Sequence, residues 1–579
     1  MYQTLMNGLA AGYERIVAWA DILDRINVYP VPDGDTGRNL VITLAACRNS
    51  NGDPKSLSRE ILHSARGNSG NIAAGFFAGF LACKDLASLP ESVETGRDLA
   101  YKSIPNPQPG TMLSLFDALV TSLKGTPPEG TGKWVESVIQ DMEEAVRKST
   151  EQLAELKKAG VVDAGALGML VFFDPLLNIL AGREVSRPLF PDRLKDSFSL
   201  SESWQDREYQ GYCLDVILKI EPESQEVMRH IMDVGESVVA MPDGDYLKVH
   251  LHATDRERAR QDLAAIGAIL SWAEDDLAEQ TFRFSEPRKN QAIHIMTDAA
   301  GSITKDLAQS LGITLLNSYI AVGKGFLPET YVDPSKLFAS MKAGAKVSTG
   351  QASGVERHEC YNNVMKIHDG VLYLCVGSFY TSNYDVAIQW KAENDPEDRM
   401  TIIDTGVASG KLGLVARAAA ELSLTVSDPM EVIAFARGAI QNVQEYIFLD
   451  TLQFLAAGGR MSKTGAFFGD VLRIKPIVSP YPDGARKIGV VRNNKDQVKF
   501  AFRRLEQNIL RDQKATLLLE YSDNKEWLEG EVKPEIEHRF PLALVILQPL
   551  SLTTAAHVGP GSWGIAFLTE HPQKDDSHV

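Results

Sequence analysis

Two carboxylates stand two residues apart in the segment NVYPVPDGDTGRN, residues 27–39. Pro30 and Pro32 hold an extended path, Gly34 and Gly37 permit positive φ, and Thr36 is placed to cap a following helix. A tight turn there aims Asp33 and Asp35 at one point. Two converging carboxylates beside open backbone N–H groups suit Mg²⁺ that bridges nucleotide phosphates. A D-G-D triplet alone is an ordinary turn; the Pro-Val-Pro before it and the TGRN after it make this segment specific. Two more glycine turns support it. ARGNSGN (residues 65–71) precedes the helical run IAAGFFAGFLA, and N–H groups at a helix start bind phosphate. VVDAGALG (residues 161–168) is the third. No G-x-x-x-x-G-K-[ST] occurs, so the chain is not a P-loop enzyme.

A different chemistry is suggested further on. In LKVHLHAT, His250 and His252 are two apart and share one face if the segment is a strand. Cys213 lies on a second strand-like stretch, GYCLDV. If the two pair, a thiol and two imidazoles converge, a set that suits Zn²⁺ with an open fourth position; the plainer reading is two polar strand residues and a buried thiol. The last half carries hydroxyl-rich turns: TDAAGSIT, VSTGQAS with Ser348, Thr349, Gln351 and Ser353, and GSFYTSNY with Ser378, Thr381 and Ser382. At the carboxyl edge of an α/β sheet such turns can hold a carboxylate, although each one alone reads as turn capping. Arg460, Arg473, Lys475, Arg492 and His557 follow; by themselves they read as a solvated basic face.

The elements that must position these residues fall into three textures. Residues 1–180 repeat apolar positions every three or four residues, beginning with Leu5, Leu9, Tyr13, Ile16, Ala20, Leu23 and Ile26, and predict an all-α segment. Breaks fall at 30–37, 105–110 and 125–132. A polar stretch from Gly182 to Asp206 reads as a linker. From Tyr209, YCLDVILKI and YLKVHLHAT alternate like half-buried strands, with helical patterns at 224–235 and 255–273. After a second linker, EPRKNQA, short apolar runs (AIHIM, VLYLCVG, MTIIDTG, ATLLLE, ALVILQ) alternate with helical patterns and predict an α/β sheet covered on both faces. The tail QKDDSHV reads as frayed.

The 579 residues, 44% hydrophobic and 23% charged, hold enough apolar material for several cores and exclude a largely disordered chain. A net charge of −17 makes nucleic acid or an anionic membrane a poor default partner. Five scattered cysteines read as reduced thiols in a cytoplasmic protein. Charged residues interrupt the first 26 positions, so no signal peptide is expected, and no apolar run is long enough for a transmembrane helix.

In order, PVPDGDTG, ARGNSG, PGTML and VVDAGALG resemble the dihydroxyacetone-kinase L-domain superfamily in its bacterial fatty acid kinase form, over residues 1–185. The resemblance implies an all-α barrel of about eight helices with ATP at its mouth on Mg²⁺. Asp33 and Asp35 would be metal ligands, with Asn27 or Asp24 a third. Thr36, Arg38 and Asn39 would line the nucleotide; Asn68, Ser69 and Gly70 would lie on the phosphates; Thr111 and the turn Asp163, Ala164, Gly165 would flank the nucleoside. Ser64 replaces the family's usual glycine, with little effect expected. GYC…KVHLHA resembles the middle domain of the same kinases, over 208–285, and implies a metal site at Cys213, His250 and His252. LDTLQFLAAGGRMSK…IKPI and HVGPG resemble the DegV fatty-acid-binding family, over 292–570, and imply two α/β lobes enclosing one acyl chain. Thr349, Ser353 and Thr381 would bind its carboxylate with His557 nearby, and Arg460 and Arg492 would lie at the opening and assist docking or phosphoryl transfer. The usual T-S-Q-P-S reads TGQAS here, and Asn383 replaces a threonine in the second turn.

The expectation is a single-chain fusion, linked at 186–207 and 286–291 with a tail at 571–579, that phosphorylates a buried long-chain fatty acid with Mg-ATP. Its implied partners are ATP, the fatty acid and a second copy in a homodimer, with transient rather than embedded membrane contact. The alternatives are a kinase for a small polyol and a non-catalytic lipid carrier.

Overall fold

The computed structural model describes residues 2–569 except 49–52, 85–86, 125–130, 184, 186–193, 195–196, 202–203, 205–208, 221–224, 286–289, 324, 452, 455–473 and 512. Two compact units divide it, Met1–Pro287 and Arg288–Val579. Arg460 and the tail expected to fray lie outside the described residues.

The first unit opens with nine helices among the described residues: α1 (Tyr2–Arg25), α2 (Thr36–Leu44), α3 (Pro54–Ser64), α4 (Gly67–Phe80), α5 (Leu89–Lys102), α6 (Met112–Leu123), α7 (Thr131–Gln152), α8 (Ala154–Ala159) and α9 (Ala164–Leu180). Contacts run α1–α2–α4–α5–α6–α7–α9 and back to α1, which closes a helical ring. The seven periodic residues of α1 and its end are all buried. Helix α9 is buried all round from Ala164 to Leu177, as an apolar helix must be. Its Phe172 and Phe173 join Phe76, Phe77, Phe80 and Phe116 in one aromatic cluster; the Phe76 and Phe116 rings stack at 4.2 Å. Small residues let the helices approach. A Cβ on Gly37 would overlap the Ala20 carbonyl oxygen, so α2 crosses α1 only because that position is glycine. Gly37 is therefore a packing residue with negative φ, whereas Gly34 is the one with positive φ, at 64°.

A four-stranded antiparallel sheet completes this unit, in the order β2-β3-β1-β4, from β1 (Tyr212–Lys219), β2 (Glu236–Asp243), β3 (Tyr246–Ala253) and β4 (Ala268–Asp276). Helices α10 (Gln225–Met232), α11 (Arg256–Ile266) and α12 (Leu277–Ser285) accompany it. The predicted helix over 255–273 stops at Ile266: a Cβ on Gly267 would overlap the Lys219 carbonyl oxygen, and AILSWAEDD runs on as β4 beside β1. One face of the sheet is apolar. Leu214, Val216, Leu218, Leu247, Val249 and Leu251 form a core with Ile231, Ala259 and Leu263 of α10 and α11. Period-two alternation puts Cys213, Asp215, Lys248, His250 and His252 on the opposite face. That polar face meets the helical ring. The Ala240 N–H donates to the Ser103 carbonyl at 3.1 Å, and Arg59 pairs with Asp243 at 2.8 Å. The ring and the sheet fall within one compact unit, and most of the stretch 186–207 expected as a linker lies outside the described residues.

In the second unit, β5 (His294–Asp298), β6 (Ile313–Leu316), β10 (Val371–Cys375) and β11 (Met400–Asp404) make a parallel sheet ordered β11-β10-β5-β6. Helices α13 (Lys305–Leu311), α14 (Pro334–Lys342), α15 (Gly354–Ile367) and α16 (Asn383–Asn394) belong to this half, with a three-stranded antiparallel sheet of β7 (Tyr319–Val322), β8 (Gly325–Pro328) and β9 (Val347–Gly350). A second large sheet is ordered β14-β13-β12-β17-β15-β16, from β12 (Gln444–Phe448), β13 (Lys475–Tyr481), β14 (Gly484–Val491), β15 (Ala515–Tyr521), β16 (Ala543–Pro549) and β17 (Trp563–Thr569). Only β15 and β16 run parallel in it. The two large sheets differ in kind: in the second, β13 and β14 join in a tight hairpin, which allows only antiparallel pairing. Helices α17 (Ser409–Ser423), α18 (Pro429–Asn442), α19 (Asn494–Asn508), α20 (Lys533–Arg539) and α21 (Leu552–Val558) complete the unit. Helix α17 lies between the two sheets, and its Leu412, Val415 and Ala419 share a core with Ile295 and Leu374 on one side and Leu518 and Ala566 on the other. No helix among the described residues is long and apolar enough to cross a membrane.

Candidate functional site

The acidic turn sits between α1 and α2. Asn27 donates through Nδ2 to Asp33, and Thr36 Oγ1 donates to the Asn27 Oδ1 at 2.7 Å. Asn39 Nδ2 donates to Asp35 Oδ1 at 2.7 Å. Each carboxylate is thus braced by an amide, and Asn27 supports Asp33 with its N–H side. Thr36 is not the cap of α2: it is the first helical residue, and the carboxylate of Asp24 accepts the Arg38 N–H at 3.1 Å instead. Burial and the charge of Asp35 push the Asp33 carboxyl well up; burial, opposed by Arg38 and reinforced by Asp24 and Asp275, pushes Asp35 up to about 6. Asp24, Asp33, Asp35 and Asp275 gather around Arg38, and a divalent cation fits such a concentration of carboxylates.

The turn before α4 lies beside it. The Arg66 N–H donates to Thr43 Oγ1 of α2 at 3.2 Å, and Gly67, with φ of 58°, leaves no room for a Cβ against the Asn39 amide. Gly70 likewise lies against Thr43. Asn68 and Ser69 are half-buried in the first turn of α4. The Gly67 N–H, however, is taken by the Asp215 carboxylate at 2.9 Å, so a phosphate has the next N–H groups available to it, not this one. At the end of α3 the Ser64 hydroxyl has the Glu60, Thr43 and Ile61 carbonyls within reach, at 2.8, 3.1 and 3.2 Å, as alternative acceptors for its one proton. At the third glycine turn, Asp163 caps α9 by accepting the Ala166 N–H at 2.7 Å; burial pushes its carboxyl up to about 7, against hydrogen bonds from the Ala166, Met112 and Gly165 N–H groups. Ala164 and Gly165 are its first two helical residues, and Met112 follows Thr111, so these positions adjoin.

The sheet adds residues that sequence reasoning overlooked. Arg38 pairs with Asp275 at the end of β4 at 3.6 Å, Gln280 of α12 donates to Asp35 Oδ2 at 3.5 Å, and a Cβ on Gly34 would meet the Phe284 ring at 2.8 Å. Cys213, His250 and His252 converge, with one ligand atom of each within 4.8 Å of the others. His250 is fully buried, and its Nδ1 lies 3.9 Å from the Cys213 Sγ while its Nε2 has no hydrogen-bond partner. Burial, then His250, pushes His252 down to about 3, so its imidazole is neutral at pH 7. Burial pushes the Cys213 thiol well up, and Asp215, Asp35 and Asp33 push in the same direction. A buried thiol, a neutral imidazole and an orphaned ring nitrogen are a donor set that fits Zn²⁺. The carboxylates of the acidic turn act on the thiol because the two clusters are neighbours.

In the second unit, Thr349 on β9 and His557 on α21 meet through Oγ1 and Nε2 at 3.2 Å, although 208 residues separate them. The two hydroxyl-rich turns also join, Ser382 Oγ donating to Gln351 Oε1 at 2.8 Å. Thr381 Oγ1 accepts the Asn383 N–H at 3.3 Å, and Asn383 Nδ2 donates to the buried Asp298 at 2.7 Å, which accounts for an amide at that position. Ser353 caps α15 by accepting the Glu356 N–H at 3.1 Å, the structural role any such turn offers. Arg492 is exposed just past β14 and shares no described hydrogen bond or ion pair with Thr349, Thr381 or His557.

Three family models match the chain in order: a DAK2 domain at 30–178, the FakA-like middle domain of fatty acid kinases at 209–283, and the DegV family, described as uncharacterised proteins, at 292–570. Uncharacterized proteins of Staphylococcus aureus strains USA300 and NCTC 8325 / PS 47 are each 28% identical over 350 residues, which is 54% of this chain and 63% of theirs. The chain thus spans less than two thirds of the length of these curated relatives. Among solved structures, a DegV family protein from Thermus thermophilus described for its fatty acid binding aligns at 23% identity, over 48% of this chain and 99% of that one, with a TM-score of 0.44. DegV from Bacillus subtilis, described as a fatty acid binding protein, aligns at 20% over 49% and 100%, also with a TM-score of 0.44.

Proposed function

We propose that this chain, which joins a DAK2 domain, a FakA-like middle domain and a DegV family domain, transfers the γ-phosphoryl group of ATP to the carboxylate of a long-chain fatty acid. The observation that carries the reading is the juxtaposition, within one compact unit, of the Asp33/Asp35 turn, the first turn of α4 and the Cys213/His250/His252 face. Asp33 and Asp35 would hold Mg²⁺, which supplies charge neutralisation across the phosphates. Asn27 and Asn39 keep the two carboxylates pointed, and Arg38 lies against their negative field. The N–H groups of Asn68 and Ser69 at the start of α4 would receive phosphate oxygens. A fatty acid carboxylate is ionised at pH 7 and needs no general base. Its oxygen forms the new P–O bond, the bond to the β-phosphate bridging oxygen breaks, and that oxygen leaves with the electron pair on ADP. Catalysis is then positioning and electrostatics.

In the DegV family domain, the Thr349–His557 pair and Thr381 would hold the acyl carboxylate. Thr349 pairs across β9 and β7 with Ile320, a member of a buried apolar cluster with Leu337, Phe338, Ile447 and Val558. The direct test is incubation of the purified chain with Mg-ATP and oleate, with the acyl phosphate trapped by hydroxylamine and ADP measured in parallel. Acyl hydroxamate and ADP in equal amounts support the reading, and Asp33→Ala should lower both by at least about a hundredfold. Turnover of dihydroxyacetone with none of oleate would replace it with a polyol kinase.

A further inference from the structure

Asp215 does something neither cluster explains. It stands two residues from Cys213 on the polar face of β1 and is 5% exposed. Its carboxylate collects four groups from two directions. From the sheet come Lys248 Nζ at 3.1 Å and His250 Nδ1 at 3.5 Å. From α4 come the Gly67 N–H and Asn71 Nδ2, each at 2.9 Å. A buried carboxylate is tolerable only while its partners stay in place, so a shift on one side is felt on the other. It also sits where a helix N-terminus attracts an anion, and so decides which N–H groups of α4 are open to a ligand.

We propose that Asp215 is a positioning residue that couples the Cys213/His250/His252 cluster to the first turn of α4, so that occupancy of the cluster by a divalent metal sets the geometry of the nucleotide phosphate site. The inference rests on the kinase reading for the identity of the ligand at α4. A metal on the cluster holds the His250 ring; the ring's Nδ1 edge holds Asp215; Asp215 holds Gly67 and Asn71 and thereby orients Asn68 and Ser69 between them. Coupling of this kind is reciprocal: metal must tighten nucleotide binding by the factor by which nucleotide tightens metal binding.

The test uses the full chain and two probes, Co²⁺ read by its visible absorption and Mg²⁺ with a fluorescent ADP analogue read by anisotropy. Three proteins are compared: wild type, the D215N/K248M double variant, which removes the carboxylate charge together with the ammonium it would strand, and N71A, which touches no cluster residue. Wild type is expected to bind ADP several-fold more tightly with Zn²⁺ than after chelation. D215N/K248M should bind Co²⁺ about 10–100-fold more weakly, the usual effect of losing a group that orients a metal-binding histidine. N71A should shift the Co²⁺ absorption and weaken ADP binding several-fold, which a local structural role would not do. Unchanged Co²⁺ and ADP binding in N71A, or ADP binding indifferent to Zn²⁺ in wild type, overturns the coupling. A wild type that takes up no Co²⁺ overturns it as well. If D215N/K248M fails to fold by circular dichroism, N71A decides. If wild type binds Co²⁺ but no Mg-ADP, the kinase reading falls, and the coupling to a nucleotide falls with it.

Discussion

Glu329 shows how much one buried side chain can say about pH. It is 4% exposed, accepts the Thr553 N–H through Oε2 at 2.9 Å, and has no partner at Oε1. Burial pushes its carboxyl up to about 7. Because the folded protein then holds a proton that the unfolded chain releases near pH 4.5, the stability it contributes is complete below that pH. It is lost as pH rises toward 7, by ~3 kcal/mol at most. Glu329→Gln should flatten the slope of thermal stability between pH 5 and 7 and raise the midpoint at pH 8; an unchanged slope would show that the carboxyl is ionised in the fold. Gly37 is a steric case. Gly37→Ala should cost about 1–3 kcal/mol in a denaturant melt and weaken Mg-ADP binding, because α2 carries Asp35 at its start and cannot retreat from Ala20 without moving it.

Strand alternation explains the middle of the chain better than any single residue does. On β1 and β3, every second side chain enters the apolar core and every other one faces the helical ring. Cys213 and the two histidines are legible from that period in the sequence, and so, by the same spacing, are Asp215 and Lys248, which motif reading passed over. Strand β4 was not legible: AILSWAEDD continues a helical pattern, and pairing with β1 overrides it. In the second unit, the N-terminus of α17 rests on β12, where the buried Glu445 accepts the Gly410 and Lys411 N–H groups at 3.1 and 3.0 Å. Glu520 stands near it on β15, and burial pushes both carboxyls up; Glu445 accepts two N–H groups while neither oxygen of Glu520 has a hydrogen-bond partner, so the proton of the pair is assigned to Glu520. Glu445→Gln should lower stability at pH 7 by about 1–2 kcal/mol through the lost charge at the helix start, whereas Glu520→Gln should leave it unchanged or raise it. Equal effects in urea melts would contradict that assignment of the proton.

At the scale of the whole chain, the two compact units each have their own cores. Calorimetry of the intact protein should therefore resolve two transitions. Mg-ADP should raise one and oleate the other, by linkage to the unit that binds each. A single transition moved by both ligands would show that the units unfold together. Halves cut between residues 287 and 288 and mixed at micromolar concentration should make acyl phosphate more slowly than the intact chain, because one chain raises the effective concentration of its own parts.

The amino-acid sequence determined the classes of element and the chemistry they carry. Apolar spacing of three and four dictates the helical ring, period-two alternation dictates β1 and β3, and the DGDTG and KVHLH residues bring donor types that suit metal and phosphate. These are local properties, set by which neighbours along the chain share a face. Only the tertiary structure decided what those groups face. It turned Asn27 and Asn39 into braces for the two aspartates, gave the capping of α2 to Asp24, and brought His557 to Thr349 across 208 residues. It also set Asp215 into the start of α4, where the sequence alone pointed to a free phosphate cradle. The reason is physical: a hydrogen-bond donor is committed by whichever acceptor reaches it at about 3 Å, and that acceptor is chosen by packing between elements far apart in the chain.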